Sequence, residues 1–524
     1  MLLFTALAPI LLVLILLFFF KISTAMAIAL LTSATLAFFY WQMPWLQITA
    51  AVLEGIVIAS SVLWIMAGAL LLLAYQRQTG QLDKIRQGFA KLSPDPRLQL
   101  LWVGWFGVAF MEGIAGFGTP AAIIAPLLIT LGFHPLAAVV LTLIADSAPV
   151  SYGALGTPLL IGVAQGASLA DAELLLVAQQ LAWLDLFTAP LLPIMMLVIY
   201  CRVFHRELAI LPALPHAIVA GVGYSASALL WLQWFGAEFP AILAAISGFA
   251  CSYAYHAYRP LRNQSCSLHQ QSVAITVAPT VTNAEFGRAM MPYLLVIFCL
   301  LLSRLPELPL QQLLQSWQLS FQNILGTEIS TTVSPLYLPG SIFILVILLC
   351  LTKHDQPSQL WRLCWQDCLP KLRGAALTLC CAIPLVRLFV HSDVNALALP
   401  AMPIYLADLA GQHVAEHWLF CSALLGALGA FIAGSATFSN LLFAQMQLDL
   451  AQQAGLPPTL VMALQMLGAN AGNMICLLNI VAAASVAGLQ GQEQKLLKQL
   501  IGPMLLYVAF ATLIAWVFYQ HNYP

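Results

Sequence analysis

Apolar runs of about membrane length, separated by short polar stretches, set the plan of the chain. They fall at 2–20, 22–41, 48–75, 136–170, 181–200, 213–235, 240–258, 290–305, 338–352, 375–392, 459–490 and 500–519. At about 20 residues per crossing they predict about 12 transmembrane helices. Residues 1–20 open on an apolar run without Lys or Arg, show no small-residue cleavage site and lead into a second run after Lys21. That reads as a first span and not as a cleaved signal. The stretch 101–166 departs from the plain pattern, because its apolar run is interrupted by Gly, Pro, Ser, Thr and the carboxylates Glu112 and Asp146. Hydrocarbon offers no partner to an open backbone N–H or C=O. Clusters such as Ala115-Gly-Phe-Gly-Thr-Pro120 and Ser151-Tyr-Gly-Ala-Leu-Gly-Thr-Pro158 must therefore be buried in protein or line a polar cavity.

Charge then assigns sides, since short cytoplasmic loops are rich in Lys and Arg. The basic residues cluster at Lys21; at Arg77, Lys84, Arg86, Lys91 and Arg97; at Arg202 and Arg206; at Arg259, Arg262 and Arg288; at Lys353, Arg362, Lys371 and Arg373; and at Lys495 and Lys498, leaving Arg304 and Arg387 elsewhere. Placing every cluster inside requires that 98–135 and 393–458 make no net crossing, so both read as re-entrant hairpins. The first enters from the cytoplasm with arms 100–112 and 121–131 around the 115–120 tip, and returns to Gly132-Phe-His-Pro135. The second enters from outside with arms 418–432 and 440–452 around Gly434-Ser-Ala-Thr-Phe-Ser-Asn440, and leaves at Gly455-Leu-Pro-Pro458. Each is followed by a long interrupted span. Ile114-Ala-Gly116 matches Ile432-Ala-Gly434, and Ala145-Asp-Ser-Ala148 matches Ala469-Asn-Ala-Gly472. Opposite sides of entry make this an inverted repeat, in which paired broken helices meet at the midplane.

Composition agrees with an all-α polytopic membrane protein. Over 524 residues, 61% are hydrophobic and 7% charged, with mean hydropathy +0.92, against about 25% charged in soluble chains. The net charge of −1 comes with no basic patch, which excludes nucleic acid as a partner. The eleven Cys lie mostly singly in apolar runs, and Cys364 and Cys368 have no second Cys/His pair at zinc spacing. No metal or cofactor is expected. Neither a G-x-S-x-G elbow nor an H-E-x-x-H pair is present, which argues against an embedded enzyme.

The interrupted stretch also carries a resemblance. Met111-Glu-Gly-Ile-Ala-Gly-Phe-Gly-Thr-Pro120, then Gly132-Phe133 and Pro135, then Ala145-Asp-Ser-Ala-Pro-Val-Ser-Tyr-Gly-Ala-Leu-Gly-Thr-Pro158, resembles the signature of the bacterial lactate permease family. Thr79-Gly-Gln-Leu-Asp-Lys-Ile-Arg86 and Ser93-Pro-Asp-Pro-Arg-Leu-Gln99 resemble that family's loop before the hairpin. Gly434-Ser-Ala-Thr-Phe-Ser-Asn-Leu-Leu-Phe443 with Gly472-Asn-Met-Ile475 resembles its second signature. Two positions depart: Ala436 stands where some members carry an acid (GSDTSSN), and Asp146 stands where Asn is common (NTAP). The resemblance implies a carrier, not an enzyme, for L-lactate, D-lactate and glycolate in the bacterial inner membrane, driven by proton symport, with a homodimer left open. It places the family in the wider ion-transporter superfamily, whose members resemble an elevator: two hairpins and two broken helices move beside a static scaffold. On that plan 1–524 is one unit, 98–200 and 393–519 are the repeat cores, and 1–97 and 201–392 are mainly scaffold helices and connecting loops.

A small carboxylate at midplane needs donors more than a fixed cation, which is costly there; helix N-termini at the breaks supply N–H groups and a positive dipole end. The expected ring is Gly116, Phe117, Gly118 and Thr119; Ser147, Ser151, Tyr152, Gly153, Gly156 and Thr157; Ser435, Thr437, Ser439 and Asn440; and Asn470, Asn473 and Asn479. Any single hydroxyl has the alternative role of bonding its own i−4 carbonyl or joining helices. Intramembrane carboxylates mark proton relays, which makes Asp146 and Glu112 the coupling candidates; for Glu112 the alternative is a brace on the hairpin backbone. Glu54 and Asp185 read as structural or interfacial. Arg387 either attracts the anion or is an outer-end residue that snorkels or pairs with Asp393, and Arg304 beside Pro306 is interfacial. A sodium-coupled carrier of another small anion would share the fold, and Ala436 neither supports nor excludes it.

Overall fold

The computed structural model describes residues 1–20, 22–93, 95–114, 116, 118–167, 169–261, 281–304, 309–414 and 417–522. Lys21, Ala115, Phe117, Arg262 and Pro306, and the side chains of Arg86, Lys91, Arg304 and Lys371, lie outside that description. The described chain is helical almost throughout, as an apolar chain must be when its backbone can pair only with itself. Among the described residues, five helices are both long and apolar enough to cross a membrane: Trp45–Gln78, Ala172–Phe204, Leu214–Phe235, Pro458–Val486 and Glu493–His521. Shorter apolar helices include Ser23–Phe39, Thr119–Thr130, Pro135–Ala145, Pro339–Leu351 and Trp418–Ala433.

Several boundaries differ from the hydropathy pattern. The helix expected over 375–392 runs from Pro357 to Val390. Hydropathy stops where Arg362, Asp367, Lys371 and Arg373 begin, but Arg and Lys are good helix formers and Pro at the first turn starts the helix early. The run expected at 181–200 starts at Asp171. The loop after Gln78 contains the amphipathic helix Gln81–Leu92, and a helix Met402–Val414 precedes the second hairpin. The all-α expectation holds, with one short exception. Leu319–Phe321 and Thr331–Val333 pair as an antiparallel ribbon with Ser320 opposite Thr332, in a polar loop whose β-branched and aromatic residues favour strands.

Two groups of helices follow. In one, Trp45–Gln78 lies along Pro357–Val390 and against Pro339–Leu351. The approach is close: a Cβ on Gly55 would sit 2.5 Å from Pro384 Cα, and one on Gly68 would sit 2.7 Å from Gly340 O. In the other, Trp418–Ala433, Ala436–Gln453 and Pro458–Ile475 pack together. There Gly468 and Gly472, four apart, press on the backbone of Ala423 and Ala427, the small-residue seam by which membrane helices gain contact when lipid is as apolar as their side chains. Nearly every residue of Pro458–Ile475 is buried, so this helix is the axis on which the site is built.

Candidate functional site

Four chain interruptions meet. At the first, the helix Gly107–Ile114 ends, and Thr119–Thr130 starts after Gly116 and Gly118, both at positive φ. Gly118 (φ +76°) is the residue before that helix, and Gly434 (φ +75°) is the residue after Trp418–Ala433. Both tips thus turn through the left-handed region that glycine enters freely. The hydroxyl of Thr119 donates to Gly116 O at 2.8 Å and so closes its own tip. The first broken helix, Pro135–Ala145, stops before Asp146, and the chain continues as a tight turn Pro149–Tyr152, a short helix Gly153–Thr157 and a wide turn Pro158–Val163. The second, Pro458–Ile475, is interrupted at Cys476 and resumes as Leu477–Val486.

Side chains tie these interruptions together. Asn473 Nδ2 donates to Asp146 Oδ2 at 2.9 Å, and Asn479 Nδ2 donates to Asn473 Oδ1 at 2.8 Å. Asn470 Nδ2 donates to Ser151 Oγ at 2.6 Å, and Asn440 Nδ2 reaches Pro158 O at 3.2 Å. A Cβ on Gly118 would stand 2.7 Å from Asn479 Oδ1, so the first tip rests on the second break. Between them lies a cavity of about 30 Å³ lined by Glu112, Gly116, Gly153, Thr157, Ser435, Thr437, Asn473 and Asn479 among others.

Glu112 and Asp146 are 4% and 1% exposed, and Asn473, which donates to Asp146, lines the same cavity as Glu112. Glu112 Oε2 and Asp146 Oδ1 have no hydrogen-bond partner, and no Lys or Arg pairs with either among the described residues. Burying a carboxylate without a counter-charge is costly.

The expected ring is thus partly assembled. Gly116, Gly153, Thr157, Ser435, Thr437, Asn473 and Asn479 reach the cavity. Ser147 and Tyr152 are buried nearby with hydroxyls that find no partner. Thr119, Ser151, Asn440 and Asn470 spend polar atoms on protein partners. Ser439 donates to Gly426 O at 2.8 Å, inside the second hairpin. Gly156 (φ +77°) turns toward Ala237 O, and Phe117 falls outside the described residues. Asp185 accepts from Thr188 at 3.0 Å and from Tyr507 at 3.5 Å, away from the cavity.

Arg387 is not in this ring, and the pairing expected with Asp393 is replaced. Its Nε donates to Glu54 Oε2 at 2.9 Å and its Nη2 to Glu54 Oε1, while His391 Nε2 lies 2.7 Å from Glu54 Oε2. The helices Trp45–Gln78 and Pro357–Val390 put Glu54 beside Arg387, so each charge is paired within the protein. Two further residues escaped the sequence reading. Gln447 takes Trp418 Nε1 at 2.8 Å and donates to Gln465 Oε1 at 2.8 Å, and Gln465 Nε2 reaches Ser439 Oγ at 3.1 Å. The signal was there: an amide in an apolar arm needs a partner, as it did for Asn470 and Asn473.

The profile of the family described as L-lactate permease matches residues 3–520. A protein of Haemophilus influenzae named putative L-lactate permease is 29% identical over 500 residues, covering 89% of this chain and 88% of that one. An L-lactate permease of Escherichia coli K12 is 29% identical over 518 residues, covering 94% and 89%. A glycolate permease of the same strain is 27% identical over 538 residues, covering 93% and 90%. With a match that runs nearly from end to end, the chain belongs to the L-lactate permease family.

Proposed function

We propose that the chain is a secondary active transporter that imports L-lactate and related 2-hydroxy-monocarboxylates, D-lactate and glycolate, across the bacterial inner membrane by symport with protons. The names of its relatives supply the substrate class. The observation that carries the reading is the meeting of both tips and both breaks on one cavity lined by the buried Glu112, with the buried Asp146 tied to its lining through Asn473. In this reading the chain crosses the bilayer about 12 times. The hairpins are re-entrant from opposite faces, and 98–200 and 393–519 are inverted repeats that form a mobile transport domain against a scaffold of 1–97 and 201–392.

The substrate carboxylate is held by backbone N–H groups at the N-termini of Thr119–Thr130 and Ala436–Gln453, by the hydroxyls of Ser435 and Thr437, and by the amides of Asn473 and Asn479. Such a ring binds an anion without a fixed cation. A cavity of about 30 Å³ holds about two waters, so the tips part to admit lactate. Asp146 carries the proton and Glu112 shares it. An ionised pair would repel a third carboxylate in a dry cavity, so anion and proton load together. Asn473 touches both Asp146 and the cavity, which joins the two events through one amide.

Counterflow of labelled L-lactate into proteoliposomes in sodium-free buffer tests this function. Exchange that glycolate inhibits is the expected result. A strict need for sodium transfers the chain to the sodium-coupled class, and the absence of exchange removes the reading.

A further inference from the structure

A second cavity, about 330 Å³, lies across the second tip from the first. Gly434, Ser435 and Asn479 line both, so the tip is the wall between them. The larger cavity is mostly apolar, and Arg387 is its one charged lining residue among those described. The guanidinium stands 5.7 Å from the ring centroid of Phe438, on the second arm of the hairpin, in cation–π range. Arg387 lies 14 residues beyond Arg373 on the helix Pro357–Val390, or about 21 Å at 1.5 Å per residue. With Arg362 and Arg373 at the cytoplasmic end, Arg387 belongs to the outer half.

We propose that this cavity is an outer docking site for a small monocarboxylate, at which the anion takes the Arg387 guanidinium from Glu54 before the tip opens. The inference rests on the reading of the chain as a carboxylate carrier. Glu54 already presents a carboxylate two-pronged to Nε and Nη2, the geometry in which Arg recognises carboxylates generally. Glu54 is therefore the built-in stand-in for the substrate. Release does not strand it, because His391 Nε2 is 2.7 Å from Glu54 Oε2. The apolar walls suit the substrate's carbon body, and Phe438 couples the state of Arg387 to the hairpin. Glu54 is a positioning residue, and Arg387 is the one that touches the anion.

The test is the KM for external L-lactate in counterflow, measured on right-side-out proteoliposomes. Because Glu54 competes for the fork, Glu54→Gln lowers KM several-fold. Arg387→Gln raises it about tenfold or more, as loss of a charge-assisted contact does, and Arg387→Lys gives an intermediate value. The double variant Glu54→Gln/Arg387→Gln puts a neutral pair in place of the ion pair and repeats the Arg387→Gln result, so a folding defect of the single variant does not hide the answer. Equal impairment by Glu54→Gln and Arg387→Gln, as for an ion pair that only holds two helices together, overturns the inference. So does an unchanged KM in the double variant, with the carrier function intact. Failure of the unsubstituted protein to exchange lactate is a separate result, which removes the proposed function and this inference with it.

Discussion

Gly153→Ala isolates the packing around Glu112. Gly153 has φ −65° and ψ 152°, backbone that any residue adopts, so alanine brings no conformational strain. What it brings is a methyl group whose carbon would lie 3.0 Å from Glu112 Cδ and 3.2 Å from Cγ, and closer still to Oε1. Glu112 is 4% exposed and cannot swing into solvent. Overpacking of this kind costs about 1–3 kcal/mol. The same methyl costs almost nothing once the Glu112 side chain is gone. A double-mutant cycle of Gly153→Ala and Glu112→Ala, read by unfolding in mixed micelles, should therefore give a coupling energy of about 1–3 kcal/mol. Gly153→Ala alone should also raise the KM for lactate, since Gly153 and Glu112 both line the cavity. Additive effects within about 0.5 kcal/mol would show that Glu112 does not pack on Gly153 and would refute the arrangement.

Asn473→Ala removes the donor to Asp146 and the acceptor of Asn479; it should cost about 2–4 kcal/mol in stability and abolish lactate accumulation more than exchange, and unchanged accumulation would separate Asn473 from the coupling carboxyl. Gly472→Val drives two methyl groups into the backbone of Ala427, so the yield of monodisperse protein should fall sharply, and a normal yield would contradict the close seam. Thr119→Val breaks the bond that closes the first tip and Asn440→Ala the one to Pro158 O; each should weaken lactate binding by about one decade, measured by counterflow, and unchanged values in both would show that these two ties do not hold the ring in place. In a background without cysteine, Lys84→Cys should react with a membrane-impermeant maleimide only after permeabilisation and Glu328→Cys without it; labelling of the first from outside overturns the charge-based topology.

What was legible in the sequence is what hydrocarbon forbids. Gly, Pro and Ser clusters inside apolar runs must find partners, and the two tips turn at Gly118 and Gly434 where the patterns 114–120 and 432–440 placed them. Amides and acids in those runs likewise pointed to Asp146, Asn473 and Asn479, which do meet. Pairing was not legible, because nothing local records a partner 333 positions away. For Arg387 the sequence offers Asp393, six residues on, as one partner, yet the helix packing delivers Glu54. The roles of single hydroxyls were also hidden. Thr119 turns its hydroxyl back to Gly116 O and Thr157 its own to Ala154 O, whereas Ser435 and Thr437 line the cavity, a difference set by the local backbone and not by residue type. Helix ends misled for a related reason, since hydropathy marks the membrane boundary whereas helix propensity and Pro357 set the start of the helix.

The claim that one cavity loads an anion and a proton together is tested most directly by lactate accumulation in proteoliposomes under an imposed pH gradient, compared between the unsubstituted protein, Asp146→Asn and Glu112→Gln. Asp146→Asn fixes a neutral group that still accepts from Asn473, so it should exchange lactate between the two faces and fail to concentrate it, whereas Glu112→Gln should still concentrate it. Uphill uptake by Asp146→Asn together with its loss in Glu112→Gln would make Glu112 the carrier, and uphill uptake by both variants would contradict proton loading at this pair altogether.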